Sequence, residues 1–366
     1  MTVRGEGNHD PAAVLADLLV CPVTGVPLTV APPAQAAKLL KLAQIADLPP
    51  GAGEPVFIDR DGRHAYLSID GIPLLLLEAA IPLGEDPRQV EAAPVDRPRR
   101  TVIGFYDEVG WQPLGEGVFH DTVFFEDLRA VARSYCIRFR RRLLRHLPKA
   151  GDLLLDCASG PVQFDDYLDY SRGFARHVCV DRSLAALQGA RRRLGGRGLF
   201  VLADVANLPF KAQSFDAVIS LNTLFHLPAG EQERAIDELL RVARPGTPAL
   251  IVYSWGRHAP LTRLLDGILR LAKGGERPSV AALRRLGRDV YFHAHGRAWF
   301  RARRRKWRVS YSPWKSINAD HSRLLLPDNA AGAAFLRALA WLEDRLPALF
   351  VRLGEQPIII VRRCAP

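Results

Sequence analysis

The feature that narrows this chain most is a series of short apolar segments in its C-terminal part. Leu153–Asp156, His177–Asp181, Leu199–Ala203, Ala217–Leu221 and Ala249–Tyr253 are each four or five residues long. Helical stretches such as Leu184–Leu194 and Glu231–Ala243 lie between them. Apolar strands alternating with helices predict a parallel sheet covered on both faces. Two more strands are expected at Lys306–Ser312 and Pro357–Arg362. Ligands in a doubly wound sheet sit beyond the carboxyl ends of its strands, so the chemistry should lie just after each run.

At 366 residues the chain is long enough for two domains. Residues 13–80 read as a small α+β unit, with a helix at 34–47 and strands at Val56–Asp59 and His64–Ile69. Residues 81–100 carry Pro82, Pro87, Pro94 and Pro98 among charges and read as a linker. Residues 101–147 read as a helical cap, with an arginine-studded amphipathic helix from 123 to 146. Residues 148–366 hold the sheet, with a long insertion at 255–304.

Apolar residues make up 48% and charged residues 24% of the chain, which excludes wholesale disorder. No stretch reaches the roughly 18–20 uncharged apolar residues of a membrane helix. Residues 1–12 are polar and do not resemble a signal sequence, so a cytoplasmic protein is expected. The five cysteines at 21, 136, 157, 179 and 364 form neither a disulfide framework nor a paired metal motif. Residues 257–308 hold 15 Lys/Arg against three Asp/Glu, a face for phosphates, nucleic acid or an anionic membrane, or simply a solvated one. Within it, Leu261–Leu271 has the spacing of an amphipathic helix that lies on a membrane, holds an apolar acceptor or packs as a lid.

The residues after the strands are of a recognisable kind. The first strand ends in Asp156 and runs into Cys157-Ala158-Ser159-Gly160-Pro161, a small-residue turn whose N–H groups can approach a ligand closely. The second ends in Asp181, where a carboxylate can accept both hydroxyls of a ribose, followed by Arg182. The third leads to Asp204-Val205-Ala206-Asn207-Leu208-Pro209-Phe210, where Asp204 can accept an adenine amine or cap a helix. Ser214-Phe215-Asp216 opens the fourth strand, which ends in Asn222-Thr223-Leu224-Phe225-His226.

This series, closed by Arg241-Val242-Ala243-Arg244-Pro245-Gly246, resembles the class I S-adenosylmethionine-dependent methyltransferases, especially the group of ubiquinone and menaquinone biosynthesis. The match covers about residues 150–254. The resemblance implies a doubly wound seven-stranded α/β sheet in the order 3-2-1-4-5-7-6, with S-adenosylmethionine as cofactor. It places the cofactor against Asp156, Ala158, Ser159, Gly160, Asp181, Arg182, Asp204, Val205, Asn222 and Tyr106. His226 is the base candidate, and Trp255 and His293 are candidates for the acceptor pocket. The family loop carries three glycines; here Ala158 and Val162 replace the outer two. Either the loop follows a different path, with Pro161 opening the helix, or cofactor affinity is weakened.

The N-terminal unit, with Cys21-Pro22-Val23-Thr24 near its start and Ile69-Asp70-Gly71-Ile72-Pro73 near its end, resembles the small zinc-ribbon-like activators of tRNA and translation-factor methyltransferases. Thr24 stands where the family has its second cysteine, and residues 22–135 contain none, so no metal is expected. The resulting expectation is methyl transfer to an apolar or aromatic small molecule, with no specific nucleic-acid partner and at most weak membrane contact. The rivals are an RNA methyltransferase that uses the basic segment and an inactive scaffold that activates a partner. For the insertion 255–304 a helical lid over the strand ends is expected.

Overall fold

The computed structural model describes residues 10–45, 52–83, 97–115, 117–273, 281 and 290–364. Its strands, in chain order, begin with β1 (Leu28–Val30), β2 (Ala52–Asp59), β3 (His64–Ile69), β4 (Ile72–Leu75), β5 (Ile81–Pro82), β6 (Pro113–Gly115) and β7 (Val118–Phe119). They continue with β8 (Gly151–Cys157), β9 (Phe174–Asp181), β10 (Gly198–Ala203), β11 (Ala217–Leu221), β12 (Ala249–Val252), β13 (Trp307–Lys315) and β14 (Gln356–Arg363). The sequence places the last seven to within a few residues. Strands buried on both faces are uninterrupted apolar runs, and β10 and β12 are buried at every position.

The order β10-β9-β8-β11-β12-β14-β13 is the expected doubly wound arrangement. β8 to β12 are parallel, while β14 runs antiparallel to β12 and to β13. The sheet does not stop at seven strands. The N-terminal antiparallel strands β1-β2-β3-β4 join it, because β4 pairs parallel with β10 at Leu74↔Leu202 and Leu75↔Ala203, and with β5 paired to β3 the sheet has twelve strands in all. The edge of β10 offers free backbone groups, and an added strand satisfies them. Leu15, Leu19, Phe57, Tyr66 and Leu75 share one core with Val180, Val201 and Phe210. The N-terminal unit is therefore an extension of the main sheet rather than a body set apart from it. Residues 84–96 of the expected linker lie outside the described residues; Arg97–Phe105 is helical.

The crossover helices obey ordinary end rules. Leu184–Leu194 starts at Ser183, whose hydroxyl accepts from Ala186 N at 3.2 Å, and stops at Gly195 with φ of 55°. Such a cap contributes about 1 kcal/mol. The single helix expected at 123–146 is instead two, His120–Phe125 and Ala130–Arg141, followed by a tight turn to Arg145. Asp127 breaks it: its carboxylate accepts from Arg129 and, at 2.6 Å, from the Ser322 hydroxyl, which docks the turn on the helix Ala319–Leu325.

One ionic cluster ties this cap to the end of β13. The guanidinium of Arg142, fully buried, donates to Trp314 O (2.7 Å), Glu343 Oε2 (2.8 Å) and Ala340 O (3.1 Å). Glu343, also fully buried, accepts from Tyr135 Oη (2.8 Å) and Ser316 N (2.9 Å).

Candidate functional site

The segments that follow β8, β9, β10, β11 and β12 all open into one cavity of about 850 Å3, at the upper end of the range for small-molecule sites. Ala158, Ser159 and Gly160 line it after β8, Asp181, Arg182 and Ser183 at the end of β9, and Asp204 and Val205 after β10. Asn222 and His226 line it after β11 and Ser254 and Gly256 after β12, while Tyr106 reaches it from the cap.

The loop after β8 keeps a left-handed path without its outer glycines. Ala158, Gly160 and Val162 have φ of 57°, 56° and 53°. Pro161 opens no helix, contrary to expectation: the next one is the short Asp165–Leu168. A left-handed residue with a Cβ costs about 1–2 kcal/mol, and a β-branched one is a stronger outlier. Packing holds the path. Val162 is fully buried, Pro161 fills the space left by Gly189, and Trp111 lies so close to Gly160 that a Cβ there would meet it at 2.9 Å.

Asp181 fixes the same loop. Its Oδ2 accepts from Gly160 N and its Oδ1 from Ser183 N, both at 2.9 Å. Burial lifts its pKa to about 6, against the lowering effect of those two N–H groups. Asn222, at φ of 56°, holds its Oδ1 buried without a partner. Tyr106 stacks on Trp111 with ring centroids 4.9 Å apart, and burial pushes its pKa well up.

Asp204 is engaged within the protein. Its Oδ1 accepts from Ala206 N at 2.8 Å, the turn-capping geometry, and its Oδ2 meets Arg182 Nη1 at 2.8 Å and Arg99 Nη2 at 3.1 Å. Arg182 also donates to Glu78, which links the N-terminal unit to this end of the cavity. Asp156 is buried below the cavity rather than lining it, with Oδ2 at 3.4 Å from His177 Nε2.

His226 sits where the sequence places it. Its Nδ1 is 2.8 Å from Tyr291 O, and a carbonyl only accepts, so Nδ1 carries the proton and Nε2 is the lone-pair side. Burial lowers its pKa to about 4. Two acceptor candidates are corrected by one residue each. Trp255 is buried in the aromatic core against Tyr253 and Phe300, while Ser254 and Gly256 line the cavity. His293 donates its backbone N–H to Phe225 O at 2.7 Å, and it is Phe292 that lines the cavity.

The rest of the cavity wall includes residues that the sequence did not single out: Phe124, Phe125, Asp121 and Glu126 from the cap, and Lys315, Asn318, Glu355 and Gln356 around the β13–β14 connection. The insertion contributes Val290 and Phe292, whose ring lies 4.9 Å from that of Phe225. Its helix Pro260–Lys273 packs against Ala319–Leu325 and Pro347–Leu353; residues 274–280 and 282–289 lie outside the described residues. In the basic segment, Lys306 binds Glu233 (2.9 Å) and Asp237, while Arg303 binds Glu233 (2.7 Å) and lies over Trp299. Among the described residues no helix is long and apolar enough to cross a membrane.

Comparison with known proteins adds to this geometry. Residues 155–251 match the family model described as a methyltransferase domain. The chain is 39% identical over 118 residues to the demethylmenaquinone methyltransferase of Clavibacter sepedonicus, a match covering 32% of this chain and 46% of that protein. It is 37% identical over 122 residues, 32% of this chain and 55% of the other, to an Encephalitozoon cuniculi protein named as a methyltransferase. A third relative, the tRNA (carboxymethyluridine(34)-5-O)-methyltransferase of Xenopus tropicalis, is 30% identical over 37% of this chain and 22% of its own length. The chain thus spans about half the length of the first two relatives it matches.

Proposed function

We propose that this chain transfers the methyl group of S-adenosylmethionine to a small molecule held at the far end of the same cavity. The observation that carries this reading is the convergence of five strand-end segments, inside a matched methyltransferase domain, on a cavity large enough for a nucleoside and a second small molecule. The residues fit the cofactor. Asn222 presents a buried carbonyl oxygen without a partner, and the loop backbone at Ala158–Gly160 is drawn against Asp181. Ala158, Ser159, Gly160, Asp181 and Asn222 would hold it, with Arg182 and Val205 at its edge and Tyr106 above. The group supplies an electrophilic methyl carbon.

The chain's own residues position the acceptor and exclude water, which is most of what an in-line displacement requires. Val290 and Phe292 wall the cavity beside Phe225 and His226, the place expected for a lid. The ion pairs of Arg303 and Lys306 turn part of the basic segment back onto the protein and favour a small acceptor over RNA.

Calorimetry with S-adenosylhomocysteine, followed by incubation with tritiated methyl donor and a cell extract, tests the proposal. Binding and label in the low-molecular-weight fraction are expected. Label at one defined site in tRNA or rRNA would replace the small-molecule reading, and absence of binding would leave the scaffold.

A further inference from the structure

The cavity wall holds two buried carboxylates that form no direct ion pair among the described residues, although the Lys315 ammonium attracts that of Asp121. Asp121, 9% exposed, accepts from Gln163 Nε2 at 3.3 Å and from no other group among the described residues. Glu355, 7% exposed, accepts from Asn318 Nδ2 (2.8 Å) and the Thr262 hydroxyl (3.3 Å), both neutral. Among the described residues Lys315 is the nearby ammonium, and it is engaged at 3.4 Å by Glu126 and lies over the Phe139 ring. Buried carboxylates are ordinarily paired with a cation or neutralised by a proton. The rings of Phe124, Phe125, Phe225 and Phe292 line the same space, and aromatic faces attract an ammonium ion.

We propose that this end of the cavity takes an amine acceptor as its ammonium ion, and that Asp121 removes the proton that must leave before nitrogen can attack. The inference rests on the methyltransferase reading above. The Asp121 carboxylate takes one proton from the ammonium and leaves a neutral amine. The freed nitrogen lone pair forms the new N–C bond, the C–S bonding pair returns to sulfur, and the product is a methylated ammonium ion.

Placement supports this role. Gln163 follows the loop after β8, and its Oε1 accepts from the Thr122 hydroxyl at 2.7 Å, which turns its amide N–H toward Asp121. The carboxyl is thereby tied to the loop expected to hold the donor. Burial lifts Asp121 to about 7, close to the ideal for a general base near neutral pH, while the same effect leaves His226 at about 4.

Calorimetry on the protein saturated with S-adenosylhomocysteine tests the inference with benzylamine, phenethylamine, tryptamine and octylamine. Each is compared with the alcohol and the carboxylate of the same skeleton. At least one amine should bind about 10-fold or more tighter than its alcohol, and Glu355→Gln should remove most of that preference. With the preferred amine, Asp121→Asn should lower the single-turnover rate of methyl transfer by about 100-fold or more. The variant's affinity for S-adenosylhomocysteine, within about threefold of the parent's, verifies its fold. No preference for amines, or an Asp121→Asn rate near that of the parent, overturns the inference. Failure of the parent to bind S-adenosylhomocysteine overturns the methyltransferase reading instead.

Discussion

The end of the cavity proposed for the cofactor is made from the residues that directly follow parallel strands, held by the sheet and by the packing of Trp111, Pro161 and Val162. The end proposed for the acceptor is made from a cap helix, the connection between two antiparallel strands and the end of an insertion, and side-chain networks hold it. At the first end, Asp181 needs only Gly160 N and Ser183 N to be placed. At the second, Lys315 and Glu355 are placed by chains of contacts that run through Arg142, Glu343, Tyr135 and Asn318. A backbone-built end tolerates substitution around it, whereas a network-built end fails when one member is lost. The difference can be measured.

Arg142→Met gives the largest expected effect. It leaves the Glu343 carboxylate buried without its cation, and breaking a buried pair from one side costs about 3–5 kcal/mol. Denaturant unfolding should show that loss, and Arg142→Met with Glu343→Leu should recover a large part of it. A single variant within about 1 kcal/mol of the parent would show that the acceptor wall does not depend on this cluster.

Asp181→Ala probes the other end. It removes the candidate ribose acceptor and the tie to Gly160 N, so affinity for S-adenosylhomocysteine should fall about 5- to 150-fold, or about 1–3 kcal/mol. Stability should change less than in the Arg142 variant, because the strand ends keep their sheet hydrogen bonds. Unchanged affinity by calorimetry would remove Asp181 from the cofactor site.

The same division explains what could be read in advance. Asp181 ends β9, and Asn222 and His226 lie within five residues of the end of β11, so all three are legible where strand ends of a doubly wound sheet converge. Asp121, Glu126, Gln163 and Glu355 carry no such mark. They sit in stretches whose spacing fits any surface helix or turn, and only tertiary contacts bring them together. Asp204 was legible as a position but not as a partner, because Arg99 and Arg182 come to it from elsewhere in the chain. The extension of the sheet through β4 was likewise invisible, since strand pairing across more than 120 residues leaves no periodicity behind.

The smallest expected effect concerns a corner whose neighbours the sequence spacing does not show. Cys21 has no cysteine near it in the chain, yet the fold brings Asp59 and His64 to it, with their ligand atoms within 4.8 Å of one another. Three donors fall short of the four that close a structural zinc site. Each also has a partner already: Cys21 Sγ lies 3.2 Å from Tyr66 Oη, Asp59 Oδ1 accepts from Arg63 N at 2.7 Å, and Asp59 Oδ2 meets His64 Nδ1 at 3.0 Å. Those bonds, with the apolar residues around them, hold the corner by themselves. A metal would have to strip the proton from a thiol in contact with a phenol, and break a carboxylate–imidazole contact whose carboxylate is 2% exposed. Purified protein should therefore contain far less than one equivalent of zinc, and a chelator should leave its melting temperature where it was. Stoichiometric zinc by elemental analysis, lost together with stability on chelation, would show that Cys21, Asp59 and His64 recruit a fourth ligand. It would also show that this end of the sheet is held by metal rather than by hydrogen bonds.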